Sequence, residues 1–224
     1  MKFAEMLSFP NVYENFNHKQ PQLTASEGVY IDLKGKWASD HFNNDHPIVL
    51  ELACGRGEYT LALAKDHPDK NFIGVDIKGA RIWKGAGIAL KENINNAAFL
   101  RTRIEQVQLF FDDHEVDEIW ITFPDPFLRK SKSNRRLTSV PFLNRYHPIL
   151  KDNGLLHLKT DDPTLYKFSL ECLDQHPSYQ ITYFNDDIYS GSLHIPELNY
   201  KTYYEHMHLD SHKTIKYIQA VHRS

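Results

Sequence analysis

At 224 residues, with 41% hydrophobic and 25% charged content, the chain has the length and composition of a single globular domain with a sizeable core. No apolar run approaches the ~18 residues of a membrane helix, and a formal net charge of −3 excludes a surface coated in positive charge while leaving room for a local basic patch. The N-terminus lacks the basic and long apolar stretches of a secretory signal, which predicts a cytoplasmic protein. Cys54 and Cys172, far apart and outside any CxxC motif, read as reduced packing residues.

Residues 1–40 show no sustained period and read as an N-terminal arm ahead of one domain over 41–224, with a short strand or turn from Gly28 to Trp37. The run from Ile48 to Ala53 has the length and apolar density of a buried strand, and it ends in Cys54-Gly55-Arg56-Gly57. Glu58 to Lys65 then reads as a helix, Asn71 to Asp76 as a second strand, Lys78 to Lys91 as a second helix and Ala97 to Thr102 as a third strand. A short amphipathic helix from Ile104 to Phe111 precedes a fourth strand from Asp117 to Phe123. Thr138 to Leu150 is helical in pattern, and Gly154 to Thr160 returns as a fifth strand. Asp161, Asp162 and Pro163 then open a helix that runs to about His176. Tyr179 to Phe184 is a sixth strand, 185–199 a loop, Lys201 to Asp210 a short helix and Thr214 to His222 the last strand.

This alternation predicts an α/β fold, doubly wound, with a mostly parallel seven-stranded sheet and an antiparallel C-terminal edge. Such sheets bind ligands beyond the carboxyl ends of their strands. Here those ends carry 53–57, Asp76, Thr102 and Arg103, 123–125, and Thr160 with Asp161.

Glu51, Gly55, Gly57 and Asp76 form a nucleoside-binding constellation: glycines let backbone approach a ligand, and a carboxylate at the second strand's end can accept both ribose hydroxyls. A glycine turn alone also suits a nicotinamide-dependent oxidoreductase. Against that, Thr60 stands where a dinucleotide fingerprint has its third glycine, and Glu51 would repel a pyrophosphate. The same carboxylate would pair with the ammonium or sulfonium of S-adenosylmethionine. Farther along, two prolines bracket Asp125, Phe127 follows, and five of the eight residues from Arg129 to Arg136 are Lys or Arg. A carboxylate, a ring and a phosphate-binding surface from one strand end suit a reacting nucleobase. His206, His208 and His212 lack the acidic companion and spacing of zinc motifs, so no metal is expected.

Taken together the motifs resemble those of the bacterial tRNA (guanine-N(7)-)-methyltransferases. The resemblance runs through Lys34-Gly35-Lys36-Trp37, Glu51-Leu52-Ala53-Cys54-Gly55-Arg56-Gly57, Gly74-Val75-Asp76, Pro124-Asp125-Pro126, Asn134-Arg135-Arg136-Leu137, Lys159-Thr160-Asp161 and Thr202-Tyr203-Tyr204-Glu205. It implies a Rossmann-like domain that methylates N7 of a guanine in tRNA, the variable-loop guanine, from S-adenosylmethionine. It also implies cofactor binding by Glu51, Asp76 and the third strand's end, a central role for Asp125, and tRNA contacts from Arg129, Asp161, Thr202 and Glu205. Three departures stand out: Ala53 replaces the first glycine of the loop, Arg103 replaces an aspartate that would accept from the adenine amino group, and Phe127-Leu128-Arg129 replaces Trp-Pro-Lys. Arginine cannot accept, which leaves backbone or Thr102 to hold adenine.

Guanine N7 carries a free lone pair, so its methylation requires no proton removal, and the expected role of Asp125 is to accept from the guanine N1–H and amino group. Phe127 is expected to stack on the base. Arg129, Lys130, Lys132, Arg135 and Arg136 are expected on tRNA phosphates. A non-catalytic RNA-binding protein that kept the fold is a further alternative. The partners expected are tRNA, no membrane and no metal, for a monomer or homodimer.

Overall fold

The computed structural model describes residues 5–223. Its sheet is built on β4 (Ile48–Leu52), whose five residues are all buried. Ile48, Leu50 and Leu52 point into one core and Val49 into the other. A strand covered on both faces has to be apolar throughout, and Glu51 is the exception, on the face of Val49.

β5 (Asn71–Asp76), β6 (Ala97–Arg101), β7 (Val116–Thr122) and β8 (Leu150–Thr160) join β4 in parallel, and β9 (Tyr179–Asn185) and β10 (Lys216–His222) close the far edge antiparallel. These are the seven expected strands. The sheet has ten, in the order β3-β2-β1-β6-β5-β4-β7-β8-β10-β9. The additional β1 (Val12–Glu14), β2 (Leu23–Thr24) and β3 (Tyr30–Ile31) come from the first forty residues. Strands of two or three residues are too short to carry a period of two, so only their partners disclose them. β1 pairs parallel to β6, with Glu14 bonded to Arg101 at 2.7 Å. The Lys34-Gly35-Lys36-Trp37 turn docks on Glu115, which accepts from the backbone N–H of Gly35 at 2.9 Å and of Trp37 at 3.2 Å.

The helices are α1 (Glu58–Asp66), α2 (Gly79–Lys91), α3 (Val140–Tyr146), α4 (Pro163–Gln175) and α5 (Tyr203–Asp210). Two differ from expectation. Residues Ile104–Leu109 form a 3-10 turn, and α3 is cut short because β8 begins at Leu150, four residues ahead of Gly154. α4 starts as its sequence predicts: Asp162 accepts from the Leu165 N–H at 2.7 Å, with Pro163 in the first turn.

The order of connection reverses between β4 and β7, so their carboxyl ends form the switch point at which doubly wound sheets bind ligands. One buried ion pair fixes the C-terminal segment over that rim. Lys159 on β8 and Glu205 on α5, both fully buried, approach to 2.8 Å. The ammonium also donates to the carbonyls of Leu198 and Tyr200 at 2.9 Å each, and Glu205 accepts from the Tyr189 hydroxyl at 2.6 Å. Burial pulls the Lys159 ammonium below its ordinary value, and Glu205 opposes that pull. Removing one partner strands the other charge in the core, so Glu205→Ala should cost about 3–5 kcal/mol in urea unfolding. A loss under about 1 kcal/mol would deny the pair this anchoring role.

Candidate active site

β4 delivers the chain into a turn, 53–57, in which Ala53, Gly55 and Gly57 have φ of +60°, +58° and +66°. Gly57 is required twice over: besides the left-handed backbone, a Cβ there would stand 2.5 Å from the Phe99 ring. Ala53 adopts the same region with a Cβ, at a cost of roughly 1 kcal/mol. Asp76, at the end of β5, shapes the turn: Oδ2 accepts from the Gly55 N–H at 2.9 Å and Oδ1 from the Lys78 N–H at 2.7 Å. Each oxygen keeps a second lone pair, so the carboxylate can still accept from a diol.

Glu51 lies beneath this turn, buried. It accepts from the Thr60 N–H at 2.8 Å, from the Thr60 hydroxyl, and from the Thr122 hydroxyl at 2.7 Å. Thr60, the residue that broke the dinucleotide fingerprint, is therefore a donor pair for this carboxylate. Burial pushes the Glu51 carboxyl up to about 7 against the lowering effect of those three bonds. Of the three bonds, two come from α1 and one from β7, so Glu51 ties the elements flanking the switch point. It also faces the larger of two adjoining cavities.

The first cavity, about 590 Å³, is lined by Glu51, Thr122, Phe123, Asp161, Thr202 and Tyr203 among others. The second, about 490 Å³, is lined by Asp76, Ile77, Arg103, Phe127, Arg135 and Phe142 among others. Ala53, Pro124 and Asp125 line both, so the carboxylate of Asp125 stands at their junction. Thr102 lines neither: its hydroxyl is buried and accepts from Asn15 Nδ2 at 3.1 Å, which removes it as the adenine contact. Arg103 does line the second cavity, where it offers donors and a flat cation.

The Pro-Asp-Pro loop is held in an unusual shape. Phe123 and Phe127, on either side of it, have φ of +47° and +41°. Asp125 Oδ1 accepts from the Phe127 N–H at 2.9 Å, an Asx turn that leaves Oδ2 available. Arg136 donates to the Pro126 carbonyl at 2.9 Å and the Phe127 carbonyl at 3.2 Å while its guanidinium covers the Phe168 ring at 4.4 Å. Expected on the tRNA-facing surface, Arg136 is only 5% exposed and spends two of its five N–H donors inside the loop. Arg129, Lys130, Lys132 and Arg135 are exposed. Arg135 lies over the Phe127 ring at 4.7 Å, and that ring lines the second cavity rather than the first.

The far wall of the first cavity comes from β8 and α5. Asp161 pairs with Lys213 at 2.6 Å and His208 at 3.3 Å. The Thr202 hydroxyl caps α5 by accepting from the Glu205 N–H at 3.2 Å, and Glu58 accepts from the Tyr203 N–H at 2.7 Å. The T-x-x-E spacing is thus half of a capping box. Glu205 turns inward to Lys159 and reaches neither cavity, which corrects the expectation that it meets tRNA. Arg56, Arg81, Tyr204, His208 and Lys213 also line the first cavity and were not anticipated. The adjacent tyrosines inside T-x-x-E were the available signal, and Lys213 had none. Among the described residues, no group of three or more His, Cys, Asp or Glu could hold a metal ion, and both cysteines are free.

The family described as "Putative methyltransferase" matches residues 45–217. A tRNA (guanine-N(7)-)-methyltransferase of Christiangramia forsetii is 45% identical over 219 residues, covering 97% of this chain and 95% of its own. One from Porphyromonas gingivalis is 48% identical over 216 residues, covering 95% and 85%. Among solved structures, the 16S rRNA methyltransferase KamB matches with a TM-score of 0.63 at 12% identity, covering 88% of this chain and 97% of that one. A 16S rRNA (adenine(1408)-N(1))-methyltransferase of Catenulisporales acidiphilia, solved with its cosubstrate SAM, matches at 0.56 and 15% identity, covering 88% and 94%. At such identities the structures show the fold alone.

Glu51 also makes a prediction about stability. A carboxyl whose folded value is about 7 against an ordinary 4.5 binds its proton more tightly in the folded state, so its contribution weakens stability as pH rises through that window. Glu51→Gln keeps acceptor oxygen for the Thr60 N–H and removes the titration. Between pH 5 and 8 the wild type should lose on the order of 3 kcal/mol relative to Glu51→Gln in urea unfolding. Parallel pH profiles would show that Glu51 is not held protonated.

Proposed function

The chain belongs to the tRNA (guanine-N(7)-)-methyltransferase family, and from that premise we propose that it methylates N7 of a guanine in tRNA, by its motifs the variable-loop guanine, where its two cavities meet. The supporting observation is that Ala53, Pro124 and Asp125 line both cavities. A cofactor and a base in adjacent chambers would approach each other at that wall.

The residues present fit S-adenosylmethionine: a glycine turn open to the ligand, Asp76 with a free lone pair on each oxygen, and a buried carboxylate at Glu51. In the second cavity Asp76 would hold the ribose hydroxyls and Arg103 with Phe127 the adenine face, and the amino-acid end would cross the shared wall so that its cation meets Glu51 in the first. When bound, the cofactor supplies an electrophilic methyl group. The chain's own task is to aim the guanine at it and to stabilise the charge the base acquires.

N7 needs no general base, so Asp125 acts as an acceptor and a negative potential: Oδ2 takes the guanine N1–H or amino proton, and the carboxylate offsets the cationic ring. Its Asx turn and two prolines fix it before the base arrives. Asp161 and Thr202 line the chamber given to the base, while Arg129, Lys130, Lys132 and Arg135 supply the exposed cations for tRNA phosphates. Residues 41–224 are the methyltransferase domain and 1–40 an arm whose β1, β2 and β3 extend its sheet, in a cytoplasmic enzyme working as a monomer or homodimer. Among the described residues no helix is long and apolar enough to cross a membrane. Family membership sets aside both the nicotinamide-dependent oxidoreductase and the non-catalytic RNA-binding protein.

The direct test incubates the protein with labelled S-adenosylmethionine and unmodified tRNA, then cleaves chemically at 7-methylguanosine. Label at a single cleavable guanosine is the expected result, and label elsewhere would overturn the site of transfer. Asp125→Asn preserves the Asx acceptor and removes the charge. It should lower kcat about 10²–10³-fold while S-adenosylmethionine affinity stays within a few fold. Near-wild-type turnover would leave Asp125 only a turn residue.

A further inference from the structure

On the opposite side of Leu128 from the first cavity lies a groove of about 550 Å³, formed between the basic loop and α4. Leu128 lines both spaces and is 65% exposed, so it is the ridge between them. Arg136 and Phe168 make the floor, stacked at 4.4 Å with two of the five guanidinium N–H groups committed to the loop carbonyls. This floor is therefore a flat guanidinium-on-ring stack, with N–H donors left on the guanidinium edge. Lys130 and Lys167 line the same groove, and both are exposed. Among the described residues neither ammonium is within ion-pairing distance of a carboxylate. Glu171, one turn beyond Lys167, is the only acid lining the groove and would repel a backbone extended past it.

A flat stacking floor flanked by two unneutralised ammonium groups suits a nucleotide: ring on the floor, phosphate on a lysine. We propose that this groove takes the nucleotide adjacent to the target guanosine, with its base against Leu128 and Phe168 and its phosphate on Lys167. The assignment rests on the tRNA-methylating reading of the first cavity. Continuity supports it, because a strand whose base enters that cavity reaches the groove by crossing one side chain. Drawing a base into a chamber costs it and its neighbour their mutual stacking, and a second flat surface replaces part of what the neighbour loses. Lys167 is thus a positioning residue on α4, outside both the glycine turn and the Pro-Asp-Pro loop.

The test compares steady-state methylation of a tRNA transcript by the wild type, Lys167→Glu, Lys167→Arg and Lys91→Glu, the last an exposed lysine at the far end of α2. Lys167→Glu should raise KM for tRNA about tenfold, hold kcat within twofold, and make the salt dependence of binding shallower by about one unit of log–log slope. Lys167→Arg should restore KM, and Lys91→Glu should leave it unchanged. A transcript with a neutral methylphosphonate at one phosphate flanking the target should raise KM for the wild type and add nothing for Lys167→Glu. Unchanged KM in Lys167→Glu, or additive effects of the two changes, would overturn the groove while wild-type methylation leaves the main reading standing. Absence of wild-type methylation would overturn that reading and the groove with it.

Discussion

The constraint on which this structure depends is a loop held in backbone conformations that L-residues resist. Phe123 and Phe127 both have positive φ, at about 1–2 kcal/mol each, and between them stands Asp125, at the junction of the two cavities. The loop persists because it is held at several points. Its entry is fixed by the Phe123 N–H donating to the Lys159 carbonyl at 2.8 Å, its middle by the Asx turn, and its exit by Arg136 on two successive carbonyls. The backbone of Lys159 thus steadies the loop while its ammonium anchors α5 through Glu205. One strand residue connects the floor of the site to its far wall.

Glu51 does comparable work on the other side of the switch point, and its position carries an electrostatic cost. A carboxyl raised to about 7 holds its charge reluctantly at neutral pH. A cationic ligand beside it would favour ionisation, so cofactor binding and the charge state of Glu51 should be linked. Ala53 adds local strain two positions on, where it lines both cavities. The departure from glycine there narrows the turn without abolishing it, because Gly55 and Gly57 keep the left-handed conformations that the rest of the turn needs.

Much of this was legible from residue order. The seven longer strands announced themselves by apolar density, and their carboxyl ends brought Asp76, Asp125 and Asp161 to one rim as expected, with Glu51 inside the first of those strands. What could not be read was which polar residues face inward. In the basic block, Arg136 is distinguished from Arg135 only by Phe168, thirty-odd positions on, which supplies the ring that buries it. The family resemblance made Glu205 a substrate contact, but T-x-x-E also spells a capping box, and only the packing of β8 against α5 shows where its carboxylate goes. Thr102 sits at the expected strand end but is claimed by Asn15, from a segment too irregular to be assigned to the sheet. In each case a distant residue decides the orientation of a local group.

Arg136 gives the most direct test of whether a clamped loop, rather than charge alone, makes the site. Arg136→Met keeps an apolar stem over Phe168 and removes both donors from the loop. The clamped-loop account predicts that kcat falls about 10²-fold as Asp125 loses its position, while the salt dependence of tRNA Kd keeps its wild-type slope. A weakened tRNA Kd with a shallower salt slope and an unchanged kcat would contradict it, and would return Arg136 to the phosphate-binding surface.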